Sequence, residues 1–329
     1  MPGFRQGSIH LFRLAGIDVF LHWSWFLVAV FEIESGIGKY SSAVWNILEY
    51  LALFLIVLLH EFGHALACRQ VGGTANRIML WPLGGVAFVN PPQRPGAMLW
   101  SIAAGPLVNV ALLPVLAGAY FAARSMGWAQ TMHDPYRLIF AVLWIDGVLL
   151  LFNILPVYPL DGGQILRSLL WFVLGRGRSL AAATVIGFIG IAGFICLAAW
   201  MRSPWFFIMA GYLLLNCWSG LQAARVLIRN EKLPRREGFA CPRCHTAPPL
   251  GDHWRCERCT EPFDAFQTGA VCPHCGARFD STTCGYCLER SPMAQWTAGQ
   301  NASPAIASPA ITNPSPANSS PASPEMPAK

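Results

Sequence analysis

Apolar residues run along this chain in long, nearly unbroken blocks, not with the short periodicities of a soluble domain. Six blocks are legible, at roughly 19–33, 44–68, 97–121, 138–156, 180–201 and 204–228. About 20 apolar residues are needed to cross a bilayer core as a helix. The pattern therefore predicts about six transmembrane helices, the first of them short. Between the second and third blocks lies VGGTANRIMLWPLGGVAFVNPPQRPG. This stretch is too polar and too rich in Gly and Pro to be a span. Its β-prone runs on either side of Gly84 and Gly85 predict a β-hairpin near residues 78–89, dipping toward the membrane from the cytoplasmic side. After Asn230 the apolar blocks stop. Residues 231–290 are soluble in character, and residues 291–329 are mostly Ala, Ser, Pro and Asn, with SPAI at 303 and again at 308. A tail of that composition cannot bury a core and is expected to be disordered.

Composition agrees with a membrane assignment. Of 329 residues, 54% are hydrophobic and only 12% charged, about half the charge of an ordinary soluble domain. The net charge of +6 is distributed unevenly. With six spans, one face carries Arg5, Arg13, Arg69, Arg77, Arg94, Arg167, Arg176, Arg178, Arg225, Arg229, Lys232, Arg235 and Arg236. The other carries Lys39, Arg124, Arg137 and Arg202. The basic face is expected to be cytoplasmic, with both termini on that side. Residues 1–18 lack the clean apolar core of a cleavable signal peptide, so the first span reads as retained.

One block is interrupted. In FLIVLLHEFGHALA (residues 54–67), His60, Glu61 and His64 stand inside a span. A charged group at that depth costs several kcal/mol unless something compensates it. On a helix, positions i and i+4 share one face, so both histidines can reach one ion, with Glu61 beside them to take a proton from water. This is HExxH, the signature of zinc peptidases. A catalytic zinc needs a third protein ligand. Asp161, in FNILPVYPLDGG after the fourth span, lies at a matching depth and is the candidate. Asp161 alone would read as a turn residue; its pairing with HExxH reverses that. A second acidic residue, Asp146, lies about 22 Å of helix rise from Asp161. It is expected near the outer end of the bundle, in a structural hydrogen bond or an interfacial position. His22 is expected to be packed and hydrogen-bonded.

Eight of the eleven cysteines form four C-x-x-C pairs: Cys241 and Cys244, Cys256 and Cys259, Cys272 and Cys275, Cys284 and Cys287. Two such turns make a four-thiolate zinc site. Two structural zincs are expected, paired in sequence order, with a crossed pairing left open. A cytoplasmic location argues against disulfides. Cys68, Cys196 and Cys217 lie in spans and read as packing residues. Residues 241–290 hold five arginines against six acidic residues, which is no footprint for nucleic acid.

LLHEFGHALA, AAGPLVN at 103–109 and FNILPVYPLDGG together resemble the site-2 protease family of intramembrane zinc metalloproteases, over residues 8–230. LWPLGGVAF resembles the family's membrane-associated hairpin, and the missing PDZ insertion and six-span layout resemble its sporulation-factor-processing branch, except that asparagine is expected there in place of Asp146. The resemblance implies one catalytic Zn2+ on His60, His64 and Asp161, with Glu61 as general base. It implies Asn153 as a donor to substrate or oxyanion, and Asn109 as a substrate-facing polar residue in the same cavity. It also implies a membrane-anchored protein as substrate and a bacterial cell membrane as location. The expected organisation is an all-α polytopic membrane protein. It comprises a metalloprotease domain (1–230), a cytoplasmic double zinc-ribbon module (231–290) that gates access or recruits a regulatory protein, and a disordered tail (291–329). A non-catalytic scaffold acting through its ribbons, or a metal transporter, are the alternatives. Glu61 weighs against the transporter, which needs ligands but no base.

Overall fold

The structure is a computed structural model and describes residues 7–36, 38–81, 84–202, 204–287 and 289–296. The chain opens with strands β1 (Ser8–Leu14) and β2 (Ile17–His22), then helices α1 (Trp25–Ser35) and α2 (Ala43–Gln70). Strands β3 (Thr74–Trp81) and β4 (Gly84–Asn90) form the expected hairpin. Helices α3 (Pro95–Ser125), α4 (Trp128–Thr131), α5 (His133–Ile154), α6 (Asp161–Leu174), α7 (Arg176–Met201) and α8 (Pro204–Glu231) follow. Among the described residues, five helices are long and apolar enough to cross a membrane: α2, α3, α5, α7 and most of α8. Large apolar side chains such as Val115, Trp144, Leu151, Ile189 and Leu215 are exposed on them. In water that would be costly; against lipid it is the expected outer surface. The protein is a multi-pass membrane protein.

The first expected span takes another form. Residues 17–22 alternate between buried and half-buried positions, the period of a strand, and the 11-residue α1 completes the climb. The start of this path is tied to the end of α2, where Arg69 donates to the carbonyls of Ala15 and Gly16. Its far end meets the beginning of α5, where the Ser41 amide donates to Asp134 and Arg137 to the Lys39 carbonyl. Strand and short helix together thus cover the height of α2. A strand can do this because its backbone is paired on both sides, in a sheet of order β1-β2-β3-β4 with β2 parallel to β3. Ile17, Val19, Leu21, Ile78 and Leu80 of the sheet pack against Val57, Leu58, Phe62, Ala65 and Cys68 of α2. Consequently α2 is the most enclosed of the five long helices, with 56% of its apolar window buried against 11–28% for the others.

The chain breaks between α5 and α6, at Pro156 and Pro159. Helix α6 then starts directly against the end of α5. A Cβ at Gly162 would lie 2.1 Å from the Ile154 carbonyl oxygen, and one at Gly163 would lie 2.5 Å from the Tyr158 nitrogen. The two glycines after Asp161 are what permit this close turn, and α6 packs on α3 and α7.

The cysteine module contains two small sheets, β5 (Trp254–Arg255) with β6 (Pro262–Phe263) and β7 (Ser281–Thr283) with β8 (Arg290–Pro292). Its cysteines are nested. Cys256 and Cys259 meet Cys272 and Cys275, while Cys241 and Cys244 meet Cys284 and Cys287. The expected sequential pairing is therefore corrected. The physical reason is closure of the chain ends: the Ala240 amide donates to the Trp296 carbonyl (2.9 Å), and Trp296 packs with Cys241, Phe266, Cys284 and Cys287 in one cluster. This also moves a boundary. Residues 291–296 complete the module, and the rest of the expected disordered tail, 297–329, lies outside the described residues. The module rests on the membrane part through Arg176, which donates to the Tyr286 carbonyl and lies 4.9 Å from that ring's centroid.

Nesting has a chemical signature. Cys241→Ser is expected to expose Cys284 and Cys287 to alkylation, with Cys256, Cys259, Cys272 and Cys275 still protected. Mass-spectrometric mapping checks this, and sequential pairing would expose Cys256 and Cys259 instead.

Candidate metal centres

His60 and His64 sit one turn apart on the most enclosed face of α2, both buried. Their Nε2 atoms lie 3.1 Å apart. Asp161, the first residue of α6, is brought back to them by the tight turn after α5. Its Oδ2 lies 3.0 Å from His60 Nε2 and 3.3 Å from His64 Nε2. Three donors on one tetrahedral zinc, with bonds near 2.0–2.1 Å, would stand about 3.3 Å apart. The observed spacings match.

The other ring nitrogens explain why Nε2 faces the cluster. His64 Nδ1 lies 3.0 Å from the Ser101 carbonyl oxygen, and His60 Nδ1 lies 2.6 Å from Asn109 Oδ1. Each ring can donate its proton outward to α3 and turn a lone pair inward, the usual arrangement behind metal-binding histidines. Helix α3 also clears the space. A Cβ at Gly105 would stand 2.3 Å from His64 Nε2 and 2.9 Å from His60 Nε2. The AAGP stretch thus matters for its missing side chain.

Glu61 is equally enclosed, at 5% exposure. Its Oε2 accepts from the backbone N–H of Ala87 in β4 (2.8 Å), and Gly85 packs so closely that a Cβ there would lie 2.2 Å from Glu61 Cγ. The Gly-Gly of the hairpin therefore seats the sheet edge directly on this carboxylate.

Two expectations are corrected. Asn109 does not face an open cavity; it is fully enclosed, between His60 and Asp146. Asp146 is not at the outer end of the bundle. Its Oδ1 accepts from Asn109 Nδ2 at 2.7 Å, two hydrogen bonds from the cluster. The rise of a single helix misjudged it because α5 and α6 are separate helices and Asp161 returns toward the site. An acidic residue in an apolar span was the signal that could have placed it. Asn153 stands in the last turn of α5, half-buried, and its amide has no hydrogen-bond partner among the described residues. His22 is packed as expected, stacked on Trp81 with ring centroids 4.4 Å apart and in contact with Ser24.

The cysteine clusters are closed sites of another kind. Facing sulfurs lie 3.6–3.7 Å apart, far beyond a disulfide bond. A zinc–thiolate tetrahedron with bonds near 2.3 Å has edges of about 3.8 Å. The contact with Cys284 pulls the Cys244 thiol down to about 4, and the same contact pushes Cys284 up. Four sulfurs leave no open position, whereas the membrane cluster supplies three donors.

Gly105→Ala is expected to leave the bundle folded and to abolish metal retention at the His60, His64 and Asp161 cluster. Metal analysis of the purified variant, compared with His64→Ala, measures this.

The model of peptidase family M50 matches residues 49–133 and 122–197. A zinc metalloprotease of Methanocaldococcus jannaschii is 32% identical over 182 residues, covering 55% of this chain and 50% of that protein. Stage IV sporulation protein FB of Bacillus subtilis is 33% identical over 120 residues, covering 35% of this chain and 38% of that protein. The chain thus spans half or less of the length of these curated relatives. The solved site-2 protease from Methanocaldococcus jannaschii is 27% identical, with a TM-score of 0.47, covering 65% of this chain and 95% of that one. The matched segments enclose the whole buried His60, Glu61, His64 and Asp161 cluster, and over them the chain is similar to peptidase family M50.

Proposed function

We propose that this protein is an intramembrane zinc endopeptidase that hydrolyses a peptide bond in or near a transmembrane segment of a membrane-anchored protein. The observation that carries the reading is the convergence of three electron-pair donors, with a carboxylate beside them, inside an apolar bundle. His60 Nε2, His64 Nε2 and Asp161 Oδ2 would hold the zinc, which supplies Lewis acidity to the scissile carbonyl and to the attacking water. Glu61 acts as the base. Its Oε2 is anchored by the Ala87 N–H, while Oε1 accepts no hydrogen bond among the described residues. Oε1 takes the proton of the attacking water and passes it to the leaving amine as the C–N bond breaks. Asn153, half-buried at the end of α5, is the proposed donor to substrate or to the oxygen that gains charge.

Peptide bonds inside a helix are shielded, so a helical substrate must unwind before attack. Strand β4 is the edge of the sheet, and an extended segment can add to such an edge through main-chain hydrogen bonds. Because β4 lies against Glu61, an added strand would run beside the base. The basic face of the chain supports a cytoplasmic position for both ends of the described chain, in a bacterial cell membrane. The two cysteine clusters are proposed to hold structural zinc, with the module serving regulation or recruitment of a protein partner.

Co-expression with single-span candidate substrates tests the reading. Glu61→Gln is expected to lower cleavage at least a hundredfold with zinc retained. Equal cleavage by wild type and variant would sink the enzymatic reading and leave a scaffold role. Ala87→Pro removes the N–H that anchors Glu61 and is expected to slow cleavage without loss of zinc. Unchanged cleavage in that variant counts against a role for the hairpin edge.

A further inference from the structure

Asp146 is an acidic side chain in the middle of α5, fully enclosed, and no step above uses it. Its Oδ1 accepts from Asn109 Nδ2 at 2.7 Å, and its Oδ2 has no partner among the described residues. Asn109, also fully enclosed, turns its Oδ1 to His60 Nδ1 at 2.6 Å. The three side chains come from α5, α3 and α2 and form one line that ends at the metal cluster.

We propose that Asp146 is a positioning residue for the metal site. Its carboxylate fixes the Asn109 amide, and the amide in turn fixes the proton of His60 on Nδ1, leaving the Nε2 lone pair for the metal. The proposal rests on the reading of His60, His64 and Asp161 as zinc ligands.

A primary amide has two ends of nearly equal shape, one donating and one accepting. Which end faces His60 is decided by the neighbour at the other end. Asp146 Oδ1 accepts from the NH2 group, which leaves the amide oxygen toward the ring. His60 must then donate from Nδ1. With the amide reversed, its NH2 would face Nδ1 and demand a lone pair there. The ring proton would move to Nε2, the nitrogen 3.0 Å from Asp161 Oδ2 and 3.1 Å from His64 Nε2. A protonated Nε2 cannot bind a metal.

His64 needs no such device. Its Nδ1 faces the backbone carbonyl of Ser101 at 3.0 Å, and a carbonyl in a helix cannot turn round. The asymmetry between the two histidines therefore explains why a third residue stands behind only one of them. It also separates this role from a purely structural one. An apolar residue in place of Asp146 strands the Asn109 Nδ2 donor and lowers stability, a loss that a melting curve reads separately from zinc affinity. A structural Asp146 gives no reason for metal affinity to fall while the fold holds.

The test uses the full-length protein in detergent, with zinc retention measured against increasing EDTA. His64→Ala defines the zinc held by the cysteine clusters alone. Asp146→Leu leaves the enclosed Asn109 Nδ2 without its acceptor, so it is expected to give a monodisperse protein that melts somewhat lower than wild type. Its membrane-site zinc should be held 10–100-fold more weakly, the usual effect of losing an outer-shell partner. Asp146→Asn, whose amide can present either end to Asn109, is expected to fall between the two and keeps the test open if the leucine variant does not fold. The double variant Asp146→Leu with Asn109→Leu should bind zinc no more weakly than Asn109→Leu alone, because the two residues act in series. Zinc retention by Asp146→Leu and Asp146→Asn within twofold of wild type overturns the positioning role and leaves the ligand reading intact. Wild type retaining no more zinc than His64→Ala overturns the ligand reading and this proposal with it.

Discussion

Three electron-pair donors within 3.3 Å of one another, inside an apolar bundle, repel unless a cation or shared protons lie between them. That constraint organises the rest of the membrane part. The helix that carries two of the donors is the most enclosed. The helix that carries the third starts at the donor itself, after a turn that only Gly162 and Gly163 allow. Helix α3 supplies no donor to the cluster, yet it does three things for it. It provides acceptors for both outward-facing ring nitrogens, and at Gly105 it omits the side chain that would fill the centre.

The sheet adds a second dependence. In most soluble folds a β-edge is a hazard that must be covered. Here the edge strand is pressed onto Glu61 and tied to it through one backbone N–H. The residue proposed to move the proton and the strand proposed to receive substrate are one mechanical unit. A substrate strand that shifts β4 would shift the base with it.

Legibility followed a clear rule. His60, Glu61 and His64 could be read because one helix turn places them, and local spacing is all that is needed. The β-hairpin was legible from turn residues between β-prone runs. Residues 17–22 were not read as a strand, because a short apolar run does not distinguish a strand from a buried helix. The pairing of β2 with β3, about sixty residues later, decides it. Asp146 was misplaced because counting rise along α5 assumes that the chain continues straight to Asp161. The nested cysteines depend on Trp296 closing the module, and nothing in the C-x-x-C spacing carries that contact.

By itself, the sequence determined the chemistry available to this protein: a HExxH face in a span, an aspartate after the fourth apolar block, four thiol pairs and a bundle of membrane length. These follow from residue type and short-range geometry, which the chain carries locally. Only the tertiary structure decided which groups meet. It returned Asp161 to α2 and buried Asn109 between His60 and Asp146. It also set β4 on Glu61 and matched the first cysteine pair to the last. Those contacts join residues far apart in the chain, and the physical reason they stayed hidden is that packing and chain closure, not local propensity, select them.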